Sequence, residues 1–292
     1  MDKIKSAIKN RKVIVLDEQQ NKMIASGWGK NVLESTVTEK IAYSSDKLKV
    51  KGYISYPLDK SKKYPCIIWN RGGLGNKGAI DSFTARGIFG QIASWGYVVI
   101  ATQYRGNDGG EGQDEFGGDD VNDVLNLIPL AEEIENADTT KWGIEGWSRG
   151  GMMTYLALLK NPNFSVKDGY ASGVRCAVLV GAISDFKSYV QSNENRIDIY
   201  KNLFSEKDFE KKLEERTVIN FVDKLPNIPY LIMHGKSDDT VHVEQSIKIA
   251  EKLDELDYEY KLVLFDEGDH FLKKHRKEVD EIRKNWYEKY LS

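Results

Sequence analysis

The segment Gly146-Trp147-Ser148-Arg149-Gly150 sets a serine between two glycines, each two positions away. A short apolar run at 143–147 leads into it, and a longer apolar run of helical length, 150–160, follows. On a tight strand-to-helix turn a serine is thrust out of the sheet, and flanking glycines relieve the crowding. The chemistry such a serine can do is acyl transfer. Its hydroxyl is a poor nucleophile until a base takes the proton, and the base needs an acid to orient it. Negative charge developing on a substrate oxygen needs hydrogen-bond donors already in place. The chain must therefore bring a histidine, a carboxylate and suitable N–H groups to Ser148.

The hydrophobic pattern says which elements could do so. Segments 32–43 and 48–56 flank the turn Ser44-Ser45-Asp46 and read as an antiparallel hairpin. Beyond Pro57, apolar runs at 66–70, 98–103, 143–147, 176–181, 230–234 and 260–265 alternate with helical stretches. The helices expected are 81–94, 119–131, 150–160, 243–256 and 271–291. Such alternation makes a mostly parallel sheet with helices on both faces. Eight strands, antiparallel at the start and parallel thereafter, match the α/β-hydrolase fold. Residues 1–292 read as a single domain, with an N-terminal arm at 1–31 that is helical or irregular. Residues 185–225 have no strand pattern and many charges. A structureless loop of that length is uncommon in a compact domain, so a helical excursion near the site, a lid, is expected.

In that fold the order is serine, acid, histidine, so the base lies beyond the last strand. The chain has four histidines. His234 ends a strand and reads as a packed turn residue, His242 starts a helix, and His275 lies on a cationic helical face. His270, in the loop Asp266-Glu267-Gly268-Asp269-His270, is the expected base. For the acid, Asp238 and Asp239 compete in the loop after 230–234, and Asp185 is a third option one strand earlier. One oxyanion donor should be the backbone N–H of Arg149. The other should come from the glycine-rich loop Arg71-Gly72-Gly73-Leu74-Gly75.

Composition limits the other readings. With 40% hydrophobic and 11% aromatic residues the chain can build a sizeable core. A net charge of −3 and no basic face argue against nucleic acid as a partner. Runs such as Val98-Val99-Ile100-Ala101 are too short for a bilayer, and the charged start Met1-Asp2-Lys3-Ile4-Lys5 lacks a signal-like apolar region. A soluble cytoplasmic protein without a membrane partner is expected. Cys66 and Cys176 lie in apolar runs and read as core residues. Gly73-x-Gly75-x-x-Gly78 formally matches a dinucleotide fingerprint, but the next strand ends in Gln103 where a ribose-binding acid would stand. No cofactor and no metal are expected.

Gly146-Trp147-Ser148-Arg149-Gly150-Gly151, His234-Gly235-x-x-Asp238-Asp239-x-Val241 and Asp269-His270 together resemble the catalytic domain of the prolyl oligopeptidase family of serine peptidases. The stretch Gln103-Tyr104-Arg105-Gly106-Asn107-Asp108-Gly109-Gly110-Glu111-Gly112 does too, and the resemblance runs from Lys49 to the C-terminus. It implies Asp238, the first aspartate of its motif, as the acid. Relatives commonly use a tyrosine hydroxyl as the second oxyanion donor. Here Asn70-Arg71 stands in its place, leaving the amides of Arg71 or Gly72, or the Arg71 side chain. By likeness to dipeptidyl-type relatives, Phe186 and Tyr189 are candidate pocket walls, together with Trp147 beside the nucleophile. Full-length members carry a β-propeller ahead of this domain. Only about fifty residues precede it here, too few for two ordinary blades. A serine peptidase acting on short peptides is the first reading and a carboxylesterase acting on small acyl esters the second. A non-catalytic hydrolase-like binding protein comes third, and a homo-oligomer is left open.

Overall fold

In the computed structural model, which describes residues 7–162 and 173–292, nine strands share one sheet. They are β1 (Ile8–Val13), β2 (Thr36–Ser45), β3 (Leu48–Pro57), β4 (Tyr64–Asn70), β5 (Val98–Thr102), β6 (Ala137–Trp147), β7 (Gly173–Val180), β8 (Tyr230–Gly235) and β9 (Tyr260–Phe265). Their spatial order is β1-β2-β3-β5-β4-β6-β7-β8-β9. β1, β2, β3 and β5 pair antiparallel, and from β5 onward every pairing is parallel. The helices are α1 (Glu18–Trp28), α2 (Lys30–Ser35), α3 (Ser82–Ser94), α4 (Val121–Leu125), α5 (Arg149–Lys160), α6 (Phe186–Gln191), α7 (Glu194–Phe204), α8 (Phe209–Glu214), α9 (Glu244–Glu255) and α10 (Arg276–Leu291).

Because side chains alternate along a strand, the parallel strands feed two cores. In β4, Cys66 and Ile68 point to one core while Ile67 and Trp69 point to the other. The first core is closed by α4, α5, α9 and the 186–224 helices, the second by α3 and α10. Strands buried on both faces are the near-continuous apolar runs that the sequence displays. Cys66 and Cys176 are buried and unpaired, and burial pushes both thiols up.

Three expectations need correction. The sheet has nine strands, not eight, because the N-terminal arm contributes β1. That strand, Ile8-Lys9-Asn10-Arg11-Lys12-Val13, is almost wholly exposed, so no hydrophobic alternation marks it. It is tied down by Arg11, which donates through Nε and Nη2 to Glu39 Oε2 at 2.8 and 2.6 Å. Further along the arm come α1 and the start of α2. The helix expected over 119–131 breaks into α4 and a 3₁₀ turn opened by Pro129, and that over 271–291 starts only at Arg276 after another such turn. Residues 186–224 are helical, as α6, α7, α8 and a 3₁₀ turn. Asp185 is used as the N-cap of α6, accepting from Ser188 N at 2.9 Å. Among the described residues no helix is long and apolar enough to cross a membrane.

Under the serine-bearing strand lies a buried charge. Glu145 of β6 has no exposed surface. Its carboxylate accepts from Trp69 Nε1 at 3.0 Å, Trp147 Nε1 at 2.6 Å, Arg283 Nη2 at 2.8 Å and the Tyr287 hydroxyl. The hub bolts α10 to β4 and β6. Replacing Arg283 with methionine leaves that carboxylate without its counter-charge. Urea unfolding should show the variant less stable by about 3–5 kcal/mol with an unchanged slope, whereas Tyr287→Phe should cost about 1–3 kcal/mol.

Candidate active site

Ser148 closes β6 and starts α5 with φ 56° and ψ −123°, a region that side-chain-bearing residues rarely occupy. Such strain costs about 1–3 kcal/mol and persists only where the surroundings impose it. Here Ser148 N donates to Val180 O of β7 at 2.9 Å, and Ser148 O accepts from Gly151 N at 2.9 Å. The turn is also pressed against β4. A β-carbon on Gly150 would lie 2.0 Å from Asn70 O, and one on Gly146 would lie 2.0 Å from Gly150 O. Only glycine fits either place. The same pressure brings the loop after β4 to the serine: a β-carbon on Gly72 would sit 3.2 Å from Ser148 Cβ. Arg149, first residue of α5, has a backbone N–H without an intrahelical acceptor, at the positive end of the helix dipole.

The acid and base arrive from the ends of β8 and β9. His270 Nδ1 donates to Asp238 Oδ2 at 2.7 Å, which leaves Nε2 free to act as base. Asp238 Oδ1 accepts from the backbone N–H groups of Thr240 and Val241, each at 2.9 Å. Burial pushes this carboxyl up, but the donors His234 and His270, the neighbouring imidazole and Val241 N outweigh it. The group is held well below the usual carboxylate range. Asp239 is exposed and meets only Thr240 Oγ1 at 3.3 Å. Thus the structure joins Asp238 to His270, and leaves Asp239 and Asp185 to turn and cap roles. The Ser148 hydroxyl makes no hydrogen bond to the imidazole here; such contacts are often loose without substrate. His242 is exposed, and His275 donates from Nε2 to Asp266 O at 2.9 Å.

Arg149 does more than offer an amide. Its side chain is 1% exposed and donates to Asp114 Oδ1 and Oδ2 at 2.6 and 2.8 Å, to Asp120 Oδ2 at 2.6 Å and to Gly73 O at 2.9 Å. It lies over the rings of Tyr104 and Phe116, 4.5 and 4.4 Å from their centroids. Asp114 in turn accepts from Gly75 N at 3.1 Å and Asn107 Nδ2 at 3.1 Å. One ion cluster thereby ties the serine turn, the glycine-rich loop and the 103–120 loop together. Burial opposes ionisation of Asp114, yet Arg149 holds it down to about 2. The Arg71 guanidinium is also committed, donating from Nε and Nη2 to Gln103 O at 3.0 and 2.7 Å and from Nη1 to Gly72 O at 3.0 Å. It is therefore not a free oxyanion donor. The Tyr104 hydroxyl fixes Arg71 O at 3.0 Å, leaving the backbone amides of Arg71 and Gly72 as the second-donor candidates.

The expected pocket walls need revision. Trp147 turns to the α10 side of the sheet, bonded to Glu145. Phe186 is fully buried among Phe116, Tyr189, Tyr200 and Phe204, so it supports the site from beneath and offers no surface to a ligand. Tyr189, like Trp147, is partly exposed, and burial raises its phenol against the lowering effect of Arg196. Sequence reasoning missed Arg196 of α7, which donates to Tyr189 O at 3.0 Å and to Thr240 O at 2.8 Å, strapping the excursion to the acid turn. A cleft of about 510 Å³ between α6, α8 and the following 3₁₀ turn is lined by none of Ser148, Asp238 and His270.

A nucleophile elbow at the carboxyl end of a central parallel strand, with an Asp–His pair from the last two strand ends, defines an α/β-hydrolase. The family model described as "Prolyl oligopeptidase family" matches residues 85–292. The "Uncharacterized peptidase YtmA" of Bacillus subtilis (strain 168) is 30% identical over 218 residues, 74% of this chain and 79% of its own length. The chain belongs to the prolyl oligopeptidase family, and is thus a serine-type peptidase by family. The "Prolyl endopeptidase FAP" of Bos taurus is 26% identical over 231 residues, of which the chain spans only 28% of the relative's length. In fold the chain is similar to the acylaminoacyl peptidase of Pyrococcus horikoshii, with a TM-score of 0.70 and 19% identity. That match covers 95% of this chain and 44% of that one.

Two outcomes follow from the site's geometry. Gly150→Ala should drive β4 and the serine turn apart. Reaction with a serine-directed phosphonate should slow by about a hundredfold while circular dichroism stays native-like. The ion cluster gives acid sensitivity of a definite sign. Asp114 has a folded value of about 2, below its ordinary one, so its pairing stabilises the fold above about pH 4 and is lost as pH falls toward 2. The stability gap between wild type and Asp114→Asn in urea should be full at neutral pH and shrink over that window.

Proposed function

We propose that Ser148, His270 and Asp238 form a catalytic triad that cleaves short peptides through an acyl-enzyme. The reading rests above all on the 2.7 Å bond from His270 Nδ1 to Asp238, and is supported by the strained elbow at Ser148. Ser148 Oγ attacks the scissile carbonyl while His270 Nε2 takes its proton. Asp238 fixes the tautomer and steadies the imidazolium. The N–H of Arg149 and an amide of Arg71 or Gly72 receive the oxyanion. His270 returns the proton to the leaving amine, and water, activated by the same imidazole, releases the acid product. Tyr189 flanks the acyl side, and the helices 186–224 act as a lid. The free thiols of Cys66 and Cys176 fit a reducing, cytoplasmic setting.

The test is turnover of aminoacyl and dipeptidyl p-nitroanilides beside short p-nitrophenyl esters. Anilide cleavage should fall by at least about 10⁴-fold in Ser148→Ala and His270→Ala, with the fold intact. Anilide turnover that survives Ser148→Ala overturns the triad. Ser148-dependent turnover of esters alone makes the chain an esterase on this scaffold.

A further inference from the structure

We infer that His234 is a positioning residue for the triad, its Nε2–H sharing Asp238 Oδ2 with His270 and setting how strongly the acid holds the base. This rests on the triad reading above.

His234 ends β8, has no exposed surface, and lies four residues before Asp238. Every polar atom of its ring is engaged. Nε2 lies 2.8 Å from Val241 O and 3.1 Å from Asp238 Oδ2. Both are acceptors, so Nε2 must carry a hydrogen. Nδ1 lies 2.7 Å from Ser246 Oγ of α9, whose hydroxyl hydrogen has this nitrogen as its acceptor. The tautomer is thus dictated by the acid turn, and Ser246 of α9 engages the remaining ring nitrogen.

Asp238 then has four N–H donors on two oxygens: Thr240 and Val241 on Oδ1, His270 and His234 on Oδ2. Two imidazoles meet on one oxygen atom. The His234 hydrogen bond draws charge from the oxygen that steadies the His270 imidazolium, and it keeps the carboxylate from rotating. Other groups reach this turn from each neighbouring element. Tyr189 comes from α6, Arg196 from α7 through Thr240 O, and Ser246 from α9, while Gly181 after β7 packs against Asp238 and His270 with no charge. Among the described residues only His234 and His270 donate to the Asp238 carboxylate from a side chain.

The experiment measures the second-order rate of inactivation by a fluorophosphonate across the pH range in which histidine titrates, so no natural substrate is needed. Wild type is compared with His234→Leu, His234→Gln, Ser246→Ala, Ser148→Ala and His270→Ala. Without its second side-chain donor, Asp238 holds the His270 imidazolium more tightly. In His234→Leu the acid limb should therefore move up by about half a pH unit or more, and the plateau should fall at least about tenfold. Gln offers N–H groups to the same two acceptors and should restore the limb. Ser246→Ala, a milder change should the leucine variant fold poorly, should shift it in the same direction by less. An acid limb that stays put in His234→Leu and Ser246→Ala, or a glutamine variant no better than leucine, overturns the inference and leaves His234 a packing residue. Labelling that survives Ser148→Ala, or a rate unaffected in His270→Ala, sinks the triad reading itself.

Discussion

The site depends on one backbone constraint: Ser148 is held at a φ of 56° in a turn packed closely between β4 and β7. The strain is not local. Gly150 lies against Asn70 O at the end of β4, and Ser148 N is bonded to β7, so the strands on both sides of β6 hold the turn. Serine exposure, closeness of the Gly72 loop and the open N-terminus of α5 are three results of the same fit. A few kcal/mol of strain is a large share of a domain's net stability. The two cores on either face of the sheet are what make it tolerable.

Around that turn the charges are arranged in closed groups. Glu145 with Arg283 sits below the sheet, Arg149 with Asp114 and Asp120 above it, and Asp238 with its two histidines at the far strand ends. Buried ions add little net stability when paired and cost several kcal/mol when one partner is lost. They give definition instead. Arg149 bonds Gly73 O directly and Gly75 N through Asp114, so the glycine-rich loop is fixed at two points by a residue of the nucleophile helix. The arginine directly after the serine thus offers two different parts, a backbone amide at the open end of α5 and a guanidinium bound to the neighbouring loops.

Legibility in the sequence followed burial. The parallel strands could be drawn because both faces are covered, so Val98-Val99-Ile100-Ala101 is an unbroken apolar run. β1 could not, because its Lys and Arg side chains face solvent and its identity comes from pairing with β2. His270 could be isolated by chain order, since strand order limits where a base can stand. The choice of Asp238 over Asp239 needed family likeness, as adjacent residues of one turn have the same spacing; the structure separates them by burial and by four donors. His234 was passed over because its partners are a backbone carbonyl, a serine on a later helix and the acid itself. The Arg149 cluster was hidden because its carboxylates lie about thirty residues upstream on a loop, beyond any local pattern.

The strap from α7 to the acid turn carries a mechanical implication. Arg196 grips the carbonyl of Thr240, and the amide of that same residue holds Asp238 Oδ1. The two bonds run in series through a single amino acid. The excursion is thereby joined to the carboxylate by a path of two hydrogen bonds that does not cross the hydrophobic core. A displacement of α7 relative to the acid turn must therefore either break the Arg196 bond or carry Thr240 with it.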